Sequence, residues 1–241
     1  MTGLMAMHLI AQACIQYERW RFGWVIIGTT VLLIGFLPNF LLMVRKPEDL
    51  DLLPDGDHQS LNGNDENNTN LKNNKIPEPV FTRNEALKTK AFWVLSVYTI
   101  FVFPVQAGIS LHQAPHLIER GIEPYITATI VATFSLFSAL SGMVFGLIVR
   151  KITIRFSLFS AALCLAFNST IMIFISVPWQ GYLAAAFFGT GIGGILTILP
   201  IAWADFFGRA SFGAIRGVAL FFQVTAQASG PLMSGVLRDF S

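Results

Sequence analysis

Charge is scarce in this chain. Asp, Glu, Lys and Arg together make up 12% of its 241 residues, about half the share usual in a soluble protein. Apolar residues fill 54% of positions and mean hydropathy is +0.60, more apolar surface than a soluble globule of this size needs. Cysteine is almost missing. The two present, Cys14 and Cys164, sit in apolar runs, so they read as small buried residues and not as a disulfide or metal pair. There is no G-x-x-x-x-G-K-[ST] loop, which excludes pumping driven by ATP within the chain. No nucleophile–base–acid constellation is present, so no catalytic residue and no enzyme are expected. The N-terminus lacks the basic region and small-residue cleavage site of a signal peptide. No cofactor, metal or nucleic-acid partner is expected.

What the chain does have is long apolar runs. A helix needs about 20 apolar residues to cross a bilayer. Seven candidates qualify: residues 2–17, the shortest, then 24–44, 91–110, 125–149, 156–177, 182–203 and 217–236. The last six contain no Asp, Glu, Lys or Arg. This predicts an all-α bundle of transmembrane helices, with the lipid bilayer as its first partner. One long hydrophilic stretch, residues 45–90, interrupts the pattern. It holds seven of the sixteen Lys and Arg residues, and its Asn- and Gly-rich middle, residues 62–74, is expected to be disordered. The other connections are short, which makes consecutive helices antiparallel neighbours.

Lys and Arg are unevenly divided between the two sides of such a bundle. One side carries four and the other, with residues 45–90, carries twelve. The richer side faces the cytoplasm. The long loop and the N-terminus are therefore expected inside, in an integral protein of the plasma (inner) membrane. Seven helices with the N-terminus inside are the reverse of a seven-helix receptor. The acidic-Arg-aromatic and Asn-Pro-x-x-Tyr signatures of such receptors are also missing.

Polar side chains within the spans are the candidates for function, since they are costly in lipid and face protein or a water-filled path. His8, Gln12 and Gln16 share one helix face. Gln223 and Gln227 do so in the last span. Gln106 and Gln113 lie two turns apart, with His112 and His116 close by. The substrate-binding set is Gln106, His112, Gln113, His116, Gln223 and Gln227. The bland reading of the glutamines is helix-to-helix hydrogen bonding. His112 and His116 have a metal-compatible i, i+4 spacing, but the chain has four histidines in all, too few for the several such boxes a metal enzyme of the membrane uses. Contact with substrate or proton remains, as does a simple place at the outer interface. Gly142 with Gly146, and Gly189 with Gly193, form G-x-x-x-G pairs that let helices approach closely. Pro38, Pro104, Pro200 and Pro231 lie within spans and are expected to kink them. Asp205 and Arg209, one turn apart, either pair at an inner gate or mark a solvated helix end, the commoner case. Trp20, Trp24, Trp179 and Trp203 mark span edges, as interfacial anchors do.

Several local motifs, taken together and in order, resemble the major facilitator superfamily, and within it the monocarboxylate and oxalate/formate-type branch. They are Arg45-Lys46-Pro47-Glu48-Asp49-Leu50 with Leu53-Pro54-Asp55-Gly56; His112-Gln113-Ala114-Pro115-His116-Leu117; the Gly-rich stretch at 189–194; Phe206-Phe207-Gly208-Arg209 with Phe212-Gly213-Ala214-Ile215-Arg216-Gly217; and Gly230-Pro231 with Gly235 and Asp239. The resemblance implies a transporter of twelve helices in two halves of six, working by alternating access on a small solute, here an organic monocarboxylate. A neutral or zwitterionic solute, or a truncated product that does not transport, are the alternatives. The long loop would join the halves. On this reading residues 1–44 are the last two helices of the N-terminal half, 45–90 the cytoplasmic linker, and 91–241 five helices of the C-terminal half. Helices five to eleven would then be present, and the missing helices or another chain would complete the cavity. The family's Gly-x-x-x-Asp-Arg/Lys loop motif is altered here: Gly146 is followed by Arg150 and Lys151, which puts a base where an acid is usual and draws both residues into the expected gating set with Asp205 and Arg209. No cationic anchor for an anion occurs within residues 125–149 or 217–236.

Overall fold

A computed structural model describes residues 14, 20–42, 81–149, 151–208 and 211–239; among them the chain is helical with no strand. It divides into two compact units, one of Cys14–Pro77 and one of Met1–Ala13 with Glu78–Ser241. The expected span at residues 2–17, with His8, Gln12 and Gln16, and the expected disorder at 62–74 lie outside the described residues.

In the first unit, α1 (Trp20–Thr30), a π-helical turn (Val31–Phe36) and α2 (Leu37–Leu42) follow one another. Together they form an apolar span at Arg21–Leu41. The wide turn has a cause. Pro38 has no N–H to give to the preceding turn, and the Leu37 N–H reaches back five residues to the Leu32 carbonyl. The Asn39 side-chain amide donates to the Gly35 carbonyl at 2.7 Å, satisfying a backbone acceptor where the ladder changes pitch.

The second unit begins with a short helix, α3 (Arg83–Leu87), inside the stretch that its polarity marks as loop. A reciprocal cap makes it: the Glu85 N–H donates to Thr82 Oγ1 at 3.4 Å and the Thr82 N–H donates to Glu85 Oε2 at 2.9 Å. These bonds hold the Glu85 carboxyl below its usual carboxylate range. Thr89 then caps the next helix, accepting from the Phe92 N–H at 3.3 Å.

Five long helices follow: α4 (Lys90–Glu119), α5 (Pro124–Ile148), α6 (Ile154–Ile173), α7 (Pro178–Phe207) and α8 (Phe212–Asp239). Counting the span in the first unit, five of the described helices are long and apolar enough to cross a membrane. The last helix, α8, is long but is not one of them. Gln223, Thr225, Gln227, Ser229 and Ser234 lower its hydropathy, so the span expected at 217–236 is a helix without a fully apolar composition. The other surprise in length is α4, which runs through Pro115 to Glu119 instead of stopping near Ser110. Its last turns are tied to a neighbouring helix through His116 and Arg120.

α7 is the central helix. Of its most apolar stretch 61% is buried, against 28% for α4, α5 and α6, and it packs between α5 and α6. Glycine makes this possible. A Cβ at Gly189 would stand 2.9 Å from the Phe137 Cβ and one at Gly193 2.7 Å from Ser141 Oγ, both on α5. On the other flank, a Cβ at Gly191 would reach the Ala161 carbonyl at 2.9 Å, and one at Gly194 would stand 3.3 Å from the Ala161 Cβ, both on α6. Both expected G-x-x-x-G pairs therefore mark close packing, since Gly142 and Gly146 also face Thr197 of α7. At the far end of α7, Phe81, Phe92, Trp203 and Phe207 cluster with ring centroids 5.5 to 6.4 Å apart. Trp203 is 2% exposed, so it is a core residue and not the interfacial anchor expected of it. Trp24 and Trp179 are exposed, as anchors are. Both cysteines are free.

Candidate functional site

α4 and α8 pair closely, and the local sequence explains how. Pro104 and Pro231 both sit inside their helices. Gly230 lies so near the Pro104 backbone that a Cβ there would stand 2.8 Å from the Pro104 carbonyl carbon. A Cβ at Gly108 would in return stand 3.5 Å from the Gly230 carbonyl oxygen. At this crossing, and running from Pro104 to Arg120 along α4, a cleft of about 870 Å³ lies among α4, α6 and α8. That is within the size range of ligand pockets.

One end of the cleft is polar. His116 places Nε2 3.0 Å from the Met172 carbonyl oxygen, and Arg120 Nη2 donates to the Ile173 carbonyl at 3.2 Å. α6 ends at Ile173, and the last four carbonyls of a helix have no partner within it. Two side chains from α4 supply partners, and a cation is favoured at that terminus. A carbonyl can only accept, so Nε2 of His116 carries the hydrogen. One turn further in, Gln113 is 3% exposed and its Nε2 has no hydrogen-bond partner among the described residues; nor does the buried Nε2 of His112. Both line the cleft, with Ser169 of α6 opposite and Glu119 beside Arg120 at the mouth. The remaining walls are mostly apolar, with Val105, Ile109, Met172, Met233 and Leu237, and include Ser234, whose hydroxyl bonds to the Gly230 and Pro231 carbonyls at 3.1 and 3.0 Å.

Of the six expected substrate contacts, His112, Gln113 and His116 meet in this cleft. The other three do not line it. Gln227 Nε2 donates to Gln106 Oε1 at 3.4 Å, and Gln106 Nε2 donates to Ser110 Oγ at 3.4 Å. The first bond joins α4 to α8 and the second stays within α4, and both are long and weak. Gln223 is half-buried on α8. In the gating set, Asp205 is exposed in the last turn of α7 and Lys151 is exposed in the turn between α5 and α6. Arg150 and Arg209 lie outside the described residues, and so does the expected pairing of Asp205 with Arg209.

Sequence reading overlooked Arg120 and Asn168. Arg120 follows His112 by eight residues and His116 by four, the same face of one helix, which was a readable signal. Asn168 is fully buried with both amide atoms unpartnered among the described residues. Only its place inside an apolar run hinted at that.

A bundle of long apolar helices with aromatic and aliphatic side chains facing outward, such as Phe101, Leu147 and Phe159, is the make-up of an integral membrane protein. A family model described as Major Facilitator Superfamily matches residues 1–231, and the chain belongs to that superfamily of secondary transporters. No curated protein matches the chain.

Proposed function

We propose that the chain forms part of a secondary transporter that moves a small organic carboxylate by alternating access, with the α4–α6–α8 cleft as its solute site. The observation that carries this reading is the chemistry of the cleft's polar end. Gln113 Nε2 is a donor with no partner, His112 Nε2 can donate, and Arg120 only donates. A carboxylate accepts and never donates when ionised, so it is the group these side chains fit. Gln106, Gln223 and Gln227 extend the polar face along α4 and α8. The 3.4 Å bond between Gln106 and Gln227 is weak enough to exchange for a bond to solute. His116 holds the site in shape through α6.

In this reading residues 1–44 close the N-terminal half, 45–90 is the linker on the cytoplasmic side of the plasma membrane, and 91–241 belongs to the C-terminal half. Asp205 and Lys151, with Arg150 and Arg209 near them in the sequence, are assigned to the cytoplasmic side, where charge contacts would hold an inward gate. Further helices, from the same or another chain, complete the cavity. A zwitterionic solute is the second reading, favoured by Glu119 standing beside Arg120 at the mouth.

The test is uptake of labelled carboxylates into proteoliposomes. Saturable uptake that falls at least tenfold in Gln113→Ala and His112→Ala, with helix content retained, supports the carboxylate reading. Faster uptake of amino acids than of carboxylates moves the assignment to the zwitterion. Leak without saturation refutes transport by this chain alone.

A further inference from the structure

Charge is divided unevenly between the two ends of the second unit. At the end where α4, α6 and α8 begin, the described side chains include Arg83, Lys88, Lys90, Lys151, Arg155 and Arg216 against Glu85 and Asp205. At the other end Arg120 stands with Glu119 and Glu123. Four of these bases belong to α3, α4 and α8 or their edges, and α3 packs on both of the others. The seat of α3 is firm: Ala86 is fully buried, and the Phe81 ring lies 5.9 Å from that of Phe207. Arg83 and Lys88 are left exposed, and so is Lys90 at the start of α4. On α8, Arg216 holds its guanidinium 5.6 Å over the Phe212 ring.

Just beyond this corner the surface turns apolar. Trp93, Val97 and Phe101 form one exposed stripe of α4, and Phe221 and Val224 are exposed on α8. Trp93 marks the boundary. Its indole N–H donates to the Leu87 carbonyl at 2.9 Å, while its ring lies 6.2 Å from that of Phe222. Half polar and half apolar, that is the setting tryptophan takes at a headgroup layer. By helix rise, Lys90 lies about 4.5 Å to the polar side of Trp93, and Arg216 about 9 Å to the polar side of Phe222. A partner for this surface must be anionic at one level and hydrocarbon at the next.

We infer that the α3–α4–α8 corner binds an acidic phospholipid, with its phosphate among Arg83, Lys88, Lys90 and Arg216 and its acyl chains along Trp93, Val97 and Phe101. An acidic protein segment or a soluble phosphate would match the bases but not the exposed apolar stripe next to them. Lys and Arg clustered at the end of a membrane helix attract acidic headgroups, and the seat of α3 gives the cluster a fixed arrangement. The corner does not depend on what the cleft between α4, α6 and α8 holds.

The experiment is tryptophan fluorescence of the full chain in phosphatidylcholine nanodiscs. With Trp20, Trp24 and Trp179 replaced by Phe, Trp93 is the accessible reporter, because Trp203 is buried. The nanodiscs receive rising fractions of phosphatidylglycerol or of phosphatidylcholine, each brominated on its acyl chains so that contact quenches the indole. Brominated phosphatidylglycerol is expected to bind at Trp93 about fivefold more tightly than brominated phosphatidylcholine, and the preference should shrink in about 1 M salt. Arg83→Gln with Lys88→Gln, and separately Lys90→Gln with Arg216→Gln, should each reduce it. Lys151→Gln with Arg155→Gln, on the α5–α6 turn, should leave it unchanged. A folding failure in one pair leaves the other to decide. Equal quenching by the two lipids overturns the site. A preference that survives both pairs, or that falls as far with Lys151→Gln and Arg155→Gln, belongs to a diffuse basic surface and refutes the corner. Weak quenching by either lipid shows that protein covers Trp93 and refutes a lipid partner. Loss of the preference on adding glycerol 3-phosphate assigns the bases to a soluble phosphate and overturns the lipid.

Discussion

His112, Gln113 and Asn168 share a condition that decides their energetics: each has a buried polar atom without a partner among the described residues. Leaving a polar group in that state costs about 1–3 kcal/mol. For Gln113 and His112 a solute in the cleft, on the function proposed above, would repay it. Asn168 is fully buried and does not line the cleft, so replacing it with an apolar residue of similar volume should do no harm. Asn168→Leu is expected to leave the thermal midpoint unchanged or to raise it, by up to about 1 kcal/mol in stability. A fall of several degrees, followed by scanning fluorimetry in detergent, would show that the amide has a partner such as buried water. Gln227→Leu removes the bond to Gln106 and should cost about 0.5–1 kcal/mol, the ordinary worth of such a bond between membrane helices. Uptake kinetics discriminate its two roles. If KM rises while stability barely moves, Gln227 touches solute; if both change together, it only joins helices.

At the scale of helices, α7 shows what glycine is for. Gly193→Ala would drive a Cβ into the Ser138 carbonyl and Ser141 Oγ of α5, and overpacking of this kind costs about 1–3 kcal/mol or more. Gly235→Ala on α8 meets nothing within 4 Å and should be tolerated. Chemical denaturation of the two variants checks the contrast, and equal behaviour would mean α7 can shift away from α5. The α3 cap makes a separate prediction about pH. Its bonds lower the folded pKa of Glu85, so their stabilisation is present above the unfolded value of about 4.3 and is lost as pH falls through the folded one. Glu85→Gln should remove that dependence, read as the helix signal of the full chain between about pH 3 and 6.

The apolar runs made most of these helices legible, because composition over 20 residues is a strong signal where a bilayer is the solvent. Their ends were less so. α4 outlasts its apolar stretch because His116 and Arg120 bond to α6, a tertiary fact with no trace in local hydropathy. Trp203 looked interfacial by position and is buried by the aromatic cluster of Phe81, Phe92 and Phe207. α3 was hidden inside a polar stretch, although its Thr-x-x-Glu cap was written there. The cleft was half readable: the histidines and Gln113 stood out as polar residues in an apolar run, but the separation of Gln106 from them depends on which face α8 covers.

For the whole molecule, charge distribution sets direction. On the topology expected from the sequence, which puts twelve Lys and Arg on one side and four on the other, the turn at Lys151 should be cytoplasmic and the turn at Glu123 external. In a chain with Cys14 and Cys164 replaced by Ser, Glu123→Cys is expected to react with an impermeant maleimide on intact cells. Lys151→Cys should react only after permeabilisation. The reverse pattern would invert the topology, and with it the side on which Asp205 could gate. The outward aromatic and aliphatic side chains of α5 and α6 face lipid in either orientation, so the fold itself does not depend on the answer.

The clasp at the end of α6 has one more consequence. His116 and Arg120 grip the carbonyl oxygens of Met172 and Ile173, and a carbonyl is the same whatever side chain its residue bears. The fastening is therefore blind to the identity of positions 172 and 173, while those same residues form part of the cleft wall. Substitutions such as Met172→Leu or Ile173→Val should therefore reshape the cleft wall without loosening the joint that holds α6 to α4.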